Sequence, residues 1–185
     1  MHVQWCTANS IIVFGGWDDG RSLFNDTFHL NTNTMEWTRP SITGTPPTGR
    51  FLSSYTQRRY EEGYLFGGYD NNYNYFNDLH AFNLTTNTWR KIAPSGPLPP
   101  VRQSATMDVV RQHQLVVCGG SDGRGALSDC WMFDVERNEW KELKGHNFVA
   151  QSCHTSCNMG DELLIFGGWG AKDEVLGSLG CFSFL

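Results

Sequence analysis

A pair of glycines closes an apolar run four times in this chain. The runs are Ile11-Ile12-Val13-Phe14-Gly15-Gly16, Tyr64-Leu65-Phe66-Gly67-Gly68, Leu115-Val116-Val117-Cys118-Gly119-Gly120 and Leu163-Leu164-Ile165-Phe166-Gly167-Gly168. The first glycines of successive copies stand 52, 52 and 48 residues apart. Self-similarity at a period of this size restricts a chain to solenoids, propellers or arrays. Function must therefore be read from a repeat architecture.

Other residues fall into the same register. Trp37, Trp89 and Trp140 line up, as do Asp26, Asp78 and Asp129, and every Asp-to-Trp gap is 11 residues. Arg50 and Arg102 each precede their first glycine by 17 residues, whereas the fourth copy has Ala150 at that place. Each unit translates into four short strands: a mixed segment after the Arg, the apolar run, the Asp-led segment and the Trp-led segment. An apolar run without polar alternation suits a strand buried on both faces. Asn31 to Glu36, Asn83 to Thr88 and Asp134 to Glu139 are rich in turn formers and read as tight connections to the Trp strand. No segment carries a capped helical period. The glycine pair lets the chain leave a crowded strand sharply and approach its neighbour closely. The Trp ring is expected to bury against the adjacent unit, with its N–H finding a partner near the rim.

Composition narrows the function classes. The formal net charge is −5, with both signs interspersed and no basic stripe, which argues against nucleic acid as a partner. No apolar run reaches the length of a membrane-spanning helix, and the start Met-His-Val-Gln-Trp-Cys lacks the organisation of a signal peptide. These features favour a soluble cytoplasmic or nuclear protein without a membrane partner. The Asn-X-Ser/Thr patterns at Asn25 and Asn83 then read as strand-entry sequence. Of six cysteines, only Cys153 and Cys157, with His154, lie close together, and the second close pair of a zinc site is missing. The cysteines are expected to be free, buried, small hydrophobes. The six histidines occupy different repeat positions, and no nucleophile elbow or phosphate loop is present. We expect no catalytic residue, no metal site and no cofactor.

The loops after the glycines differ from copy to copy. They read Trp17-Asp18-Asp19-Gly20-Arg21, Tyr69-Asp70-Asn71-Asn72-Tyr73-Asn74-Tyr75, Ser121-Asp122-Gly123-Arg124 and Trp169-Gly170-Ala171-Lys172-Asp173. Loops on a rigid scaffold are where binding concentrates, and Trp, Tyr and Arg are the side chains that anchor protein interfaces. Trp17, Asp18, Arg21, Tyr69, Asp70, Tyr73, Tyr75, Asp122, Arg124, Trp169 and Lys172 are the candidate partner-binding residues. For any one of them, simple cover of a strand edge is the competing role.

Four apolar positions, a double glycine, a spaced aromatic and then Trp, repeated at about 50 residues, resemble the kelch repeat. The resemblance covers nearly the whole chain and implies an all-β, kelch-type β-propeller segment of four-stranded antiparallel blades. Kelch units commonly carry Tyr at the aromatic position before the Trp, where Leu30, Phe82 and Phe133 stand nearby here. One array over 1–185 is expected, with blades at about 1–45, 46–98 and 99–148 and an incomplete blade at about 149–185 that stops before any Trp strand.

Closed kelch rings have six or seven blades, so about three and a half to four blades amount to slightly more than half a ring. Bare apolar end faces would be costly, and the chain is expected to be part of a longer one; self-association into a closed ring is the alternative. The resemblance implies a non-enzymatic interaction module, binding a protein or peptide on the loop face, and plausible as the recognition part of a larger adaptor such as a ubiquitin-ligase receptor. A galactose-oxidase-like propeller enzyme is the competing function. Arg50 and Arg102 would sit at the mouth of the binding face. Two roles stay open for them: guanidinium forks offered to a partner carboxylate, or ion pairs that hold the blade junction.

Overall fold

The computed structural model describes residues 2–18, 22–145, 148–172 and 174–184, and all regular structure among them is β. Blade 1 comprises β1 (Val3–Cys6), β2 (Ser10–Trp17), β3 (Leu23–Asn31) and β4 (Trp37–Thr38), followed by the short β5 (Thr43–Gly44). Blade 2 comprises β6 (Ser54–Arg58), β7 (Glu62–Phe66), β8 (Leu79–Asn83) and β9 (Thr88–Ile92). Blade 3 comprises β10 (Thr106–Val110), β11 (Gln114–Cys118), β12 (Cys130–Asp134) and β13 (Glu139–Leu143). After β14 (Gln151–Ser152), blade 4 holds β15 (Thr155–Asn158), β16 (Glu162–Phe166) and β18 (Leu179–Ser183), while β17 (Trp169–Gly170) pairs with β14. Within each blade the strands follow chain order and pair antiparallel. The innermost strands β1, β6, β10 and β15 pack in succession, which makes this a β-propeller arrangement of four blades.

Local chemistry closes the outer hairpins as the sequence indicates. The side-chain oxygen of Asn31 accepts from the N–H groups of Asn33 and Thr34, that of Asn83 from Thr85 and Thr86, and that of Asp134 from Glu136 and Arg137. Such Asx turns hold the bend that leads into the Trp strand.

The core lies between blades. Trp89 of blade 2 packs on Phe14 of blade 1 with ring centroids 4.7 Å apart, and Trp140 of blade 3 packs on Phe66 of blade 2 at 5.2 Å. Both indoles are almost wholly buried, yet their N–H groups have no hydrogen-bond partner among the described residues, contrary to the expected rim contact. The central apolar strands β7 and β11 are buried on both faces, as expected. In β2 and β16 burial alternates, because only one face of each terminal blade meets a neighbour.

The glycine pair makes room for backbone. A Cβ on Gly67 would lie 2.5 Å from the carbonyl oxygen of Arg102, and one on Gly119 would lie 2.5 Å from that of Gln151. The N–H groups of the second glycines, Gly68 and Gly120, donate to those same carbonyls at 2.8 and 2.9 Å. Each blade thus grips the lead-in segment of the next. At the first junction β2 runs on through Gly15 and Gly16 with a bulge and ends at Trp17.

A buried brace recurs beside the glycines. Arg102 donates to Asp129 through Nη1 at 2.8 Å and Nη2 at 2.7 Å, and to the Gly119 carbonyl at 2.9 Å. Arg50 repeats the arrangement with Asp78 and the Gly67 carbonyl, its guanidinium stacked on the Phe76 ring at 3.9 Å. Burial alone would raise both carboxyls; hydrogen bonds and the Arg charge, with His80 at Asp78 and Trp131 at Asp129, hold them below the ordinary carboxylate value.

Two features depart from the sequence reading. The linker strand β5 adds in parallel to the outer strand β9, and Ser95 bridges Glu139 in the same way at the next blade, so each linker covers an otherwise open edge. Cys118 and Cys130, partners across β11 and β12, form a disulfide, whereas Cys6, Cys153, Cys157 and Cys181 are exposed thiols rather than buried ones. The pair lies 12 residues apart in sequence, and the antiparallel register alone brings it together.

Removing one partner of a buried ion pair leaves the other charge stranded, so Arg102→Ala should lower unfolding free energy by about 3–5 kcal/mol, measured by denaturant titration. Because the folded Asp129 value is depressed, its contribution is complete above the ordinary value of 3.8 and is lost as pH falls below it. Asp129→Asn should therefore flatten the acid limb of a stability-versus-pH curve while lowering stability at neutral pH. Alkylation of the unfolded, unreduced protein should label four cysteines, with two more labelled after reduction, as read by intact mass.

Candidate functional site

The loop face carries a row of aromatic rings drawn from the first two blades and resting on the third. Trp17 projects from the end of β2 and stacks near Phe51, with centroids 6.2 Å apart. Phe51 lies 4.0 Å from Tyr69, and Tyr69 stacks on Tyr75 at 5.2 Å with an interplanar angle of 11°. Backbone bridges hold the row in place, Phe51 pairing with Tyr69 and Tyr69 with Tyr75. Tyr75 in turn lies against Gly123 of the third blade's loop, where a Cβ would come within 2.6 Å of the ring.

Asp70 organises the loop that completes the site. Its Oδ1 accepts from the N–H groups of Asn72 and Asn74, and its Oδ2 from the Asn74 amide. Burial acts to raise this carboxyl, but the three donors and the Arg50 charge outweigh it and keep it below the ordinary value. The loop reverses at Tyr73, whose φ is 60°. A bulky side chain in this left-handed region is strained, and such strain persists where the surroundings impose it, often at functional sites. The consequence is a ring that is 76% exposed at the apex of the loop.

Together Trp17, Phe51, Leu52, Tyr69, Asp70 and Tyr73, with Asn71, line an open groove of about 740 Å³. Burial, with the neighbouring Tyr75 and Tyr73, raises the Tyr69 hydroxyl, so it stays protonated and able to donate at neutral pH. The groove offers flat apolar area, Tyr hydroxyls and one carboxylate, and no described basic side chain lines it.

The sequence-derived candidates divide accordingly. Trp17, Tyr69, Asp70 and Tyr73 converge in the groove, and Tyr75 backs it. Asp18 lies beside it, its carboxylate accepting from the Ser22 N–H at 2.7 Å. Arg21 lies outside the described residues. Asp122 shapes the third loop by accepting from the N–H groups of Arg124 and Gly125, and the Arg124 side chain is exposed there. Trp169 and Lys172 are exposed on blade 4, outside the groove.

Arg50 and Arg102 need correction as partner-binding residues. Their side chains are 2% and 0% exposed and their forks are occupied by Asp78 and Asp129, so they brace the blades from within. Phe51 and Leu52 were missed by sequence reasoning. The signal was their place directly after Arg50, where the next copy has Gln103 and Ser104: a position that varies beside one that does not.

A second cavity, of about 360 Å³, has in its wall Ser53, Ser104, Ala105, Cys153 and His154, from the segments that lead into the innermost strands of blades 2, 3 and 4. Burial lowers His154 to about 4, so the ring is neutral at neutral pH, and its Nε2 shares a 3.0 Å hydrogen bond with the Thr106 hydroxyl. Among the described residues no three His, Cys, Asp or Glu side chains are grouped so as to hold a metal ion.

The family model for the KLHDC2/KLHL20/DRC7 Kelch-repeats domain matches residues 1–182. Kelch domain-containing protein 2 of Bos taurus is 29% identical over 189 residues, covering 89% of this chain and 46% of its own length. Kelch domain-containing protein 1 of Homo sapiens is 34% identical over 169 residues, covering 89% and 39%. Host cell factor 1 of Homo sapiens is 29% identical over 187 residues, covering 89% of this chain and 9% of its own. The chain thus spans less than half the length of each of these relatives.

Proposed function

This chain belongs to the kelch-repeat domain family, and from that premise we propose that it is a non-enzymatic protein-interaction module that seats an extended segment of a partner in its aromatic groove. The observation that carries the reading is the continuous row Trp17, Phe51, Tyr69 and Tyr75 across the loop face, with Tyr73 held in a strained conformation at its edge. Rigid aromatic side chains offer large contact area at little cost in conformational entropy, and they dominate the energetics of protein interfaces. The backbone beneath them is tied by bridges and by the buried Arg50 brace, so little ordering is required on binding. In a larger adaptor, the same face would serve as the recognition part.

Selection of a random-peptide library on the folded protein should yield ligands whose Kd rises at least tenfold with Trp17→Ala and with Tyr73→Ala. Both side chains project into solvent, so the Tm should stay unchanged. Ligands whose affinity is indifferent to both substitutions would place binding elsewhere.

A further inference from the structure

The aromatic groove carries charge of one sign. Trp17, Phe51, Tyr69 and Tyr73 line it with ring surface, and Asp70 is the carboxylate in that lining. Burial acts to raise the Asp70 carboxyl, but the bonds it accepts from Asn72 and Asn74 outweigh burial, so the group is ionised at neutral pH. A second carboxylate, Asp18, lies beside the groove next to Trp17. No described basic side chain lines it, and the charge of the nearby Arg50 is enclosed and met by Asp78. An anionic ligand would be repelled here, and a purely apolar one would desolvate the carboxylate without pairing it. A cation avoids both costs, since ring faces attract it and a carboxylate adds a charge-assisted hydrogen bond. Of the side-chain cations, guanidinium suits flat walls best: it is planar, stacks on rings and is more weakly hydrated than an ammonium. The molecule already joins these parts in its interior. Arg50 lays its guanidinium over the Phe76 ring, 3.9 Å from the centroid, while its Nη2 donates to Asp78. There the ring and carboxylate are filled by the chain's own arginine; in the groove the same two components face solvent.

We propose that the groove selects an arginine side chain of the partner segment, its guanidinium lying against the aromatic rings and paired with the Asp70 carboxylate. This rests on the groove being the binding face and adds the chemistry that the face recognises. The rings supply contact area for many apolar segments, whereas the carboxylate discriminates among them. A partner segment without a cation would leave Asp70 covered and unpaired, so the charge acts as a filter on what the rings would otherwise accept.

Peptides selected from a random library on the full chain are the probe. The expected ligands carry an arginine at a fixed place. Replacing it by citrulline, which keeps the shape and removes the charge, should raise Kd by about tenfold or more, and lysine at that place should also bind more weakly. In the protein, Asp70→Asn should weaken the arginine peptide by a similar factor and leave the citrulline peptide within about twofold. Asn keeps an acceptor for the N–H groups of Asn72 and Asn74, which preserves the loop. Should the citrulline peptide weaken as well, the loop has shifted, and salt titration of the wild-type protein decides instead: added salt should weaken the arginine peptide and not the citrulline one. Ligands that need Trp17 and Tyr73 yet carry no arginine, bind equally with citrulline or lysine, or ignore both Asp70→Asn and salt would overturn this inference and leave the groove as the binding face. Ligands indifferent to both Trp17→Ala and Tyr73→Ala would overturn that face, and this inference with it.

Discussion

A backbone carbonyl occupies the space where a side chain would begin: this is the contact on which the blade array turns. The oxygens of Arg102 and Gln151 sit so close to Gly67 and Gly119 that any Cβ would displace the next blade. The following N–H groups then bond to the same oxygens, so the glycine pair supplies both the clearance and the donor. This close approach sets the blade spacing, and that spacing brings Trp140 onto Phe66 and His154 to Thr106. It also explains the buried brace. Arg102 emerges from the segment that is gripped, and its guanidinium returns to the Gly119 carbonyl and Asp129 of its own blade. One junction therefore fixes the start of the next.

The fourth blade shows how the parts depend on one another. It has Ala150 where blades 2 and 3 have Arg, and Ser178 where they have Asp, judged by the shared bond from the glycine N–H to the carbonyl of that residue in all three blades. Losing only one charge would strand the other in a partly buried place, while losing both leaves a neutral strand end. Repeat arrays are stabilised by nearest-neighbour contacts, and Trp37 and Phe166 keep the residue types that make those contacts at the Trp89–Phe14 and Trp140–Phe66 junctions.

The fold was legible because its constraints recur in the chain itself. Glycine pairs, the Asp and Trp landmarks and the turn formers each mark a contact repeated in register, and repetition separates a structural requirement from chance. Contacts made between residues far apart in the chain were harder to read. The cross-strand register that joins Cys118 to Cys130 depends on hairpin geometry, which cysteine spacing does not display. The pairing of β5 with β9 is made by a linker whose residues carry no strand pattern. Arg50 and Arg102 were visible as a recurrence, but their partners follow 28 and 27 residues later, and only the folded blade shows the charges enclosed. In the groove, Trp17, Tyr69, Asp70 and Tyr73 stood out as loop aromatics and a turn former. Phe51 was hidden because it enters from the opposite side, through its bridge to Tyr69.

That bridge shows how a repetitive scaffold acquires a single distinctive surface. The bridge between the segment after the Arg and the loop after the glycines occurs in blade 3 as well, between Gln103 and Ser121. In blade 2 the same backbone pairing presents two aromatic rings, and in blade 3 it presents an amide and a hydroxyl. Backbone position is therefore set by the repeat, while surface chemistry is set by side chains that the repeat does not constrain. Positive φ occurs on both sides of this division: Met35, Asn87 and Asn138 take it in register at the hairpin turns and Leu52 and Ser104 take it in register after the Arg position, whereas Tyr73 takes it in a loop shaped by Asp70. A left-handed tyrosine is not needed to close that loop, since Asn or Gly would adopt the conformation more readily. What it contributes is the exposed ring, and this ties the cost in backbone energy to the surface of the groove rather than to the stability of the blade.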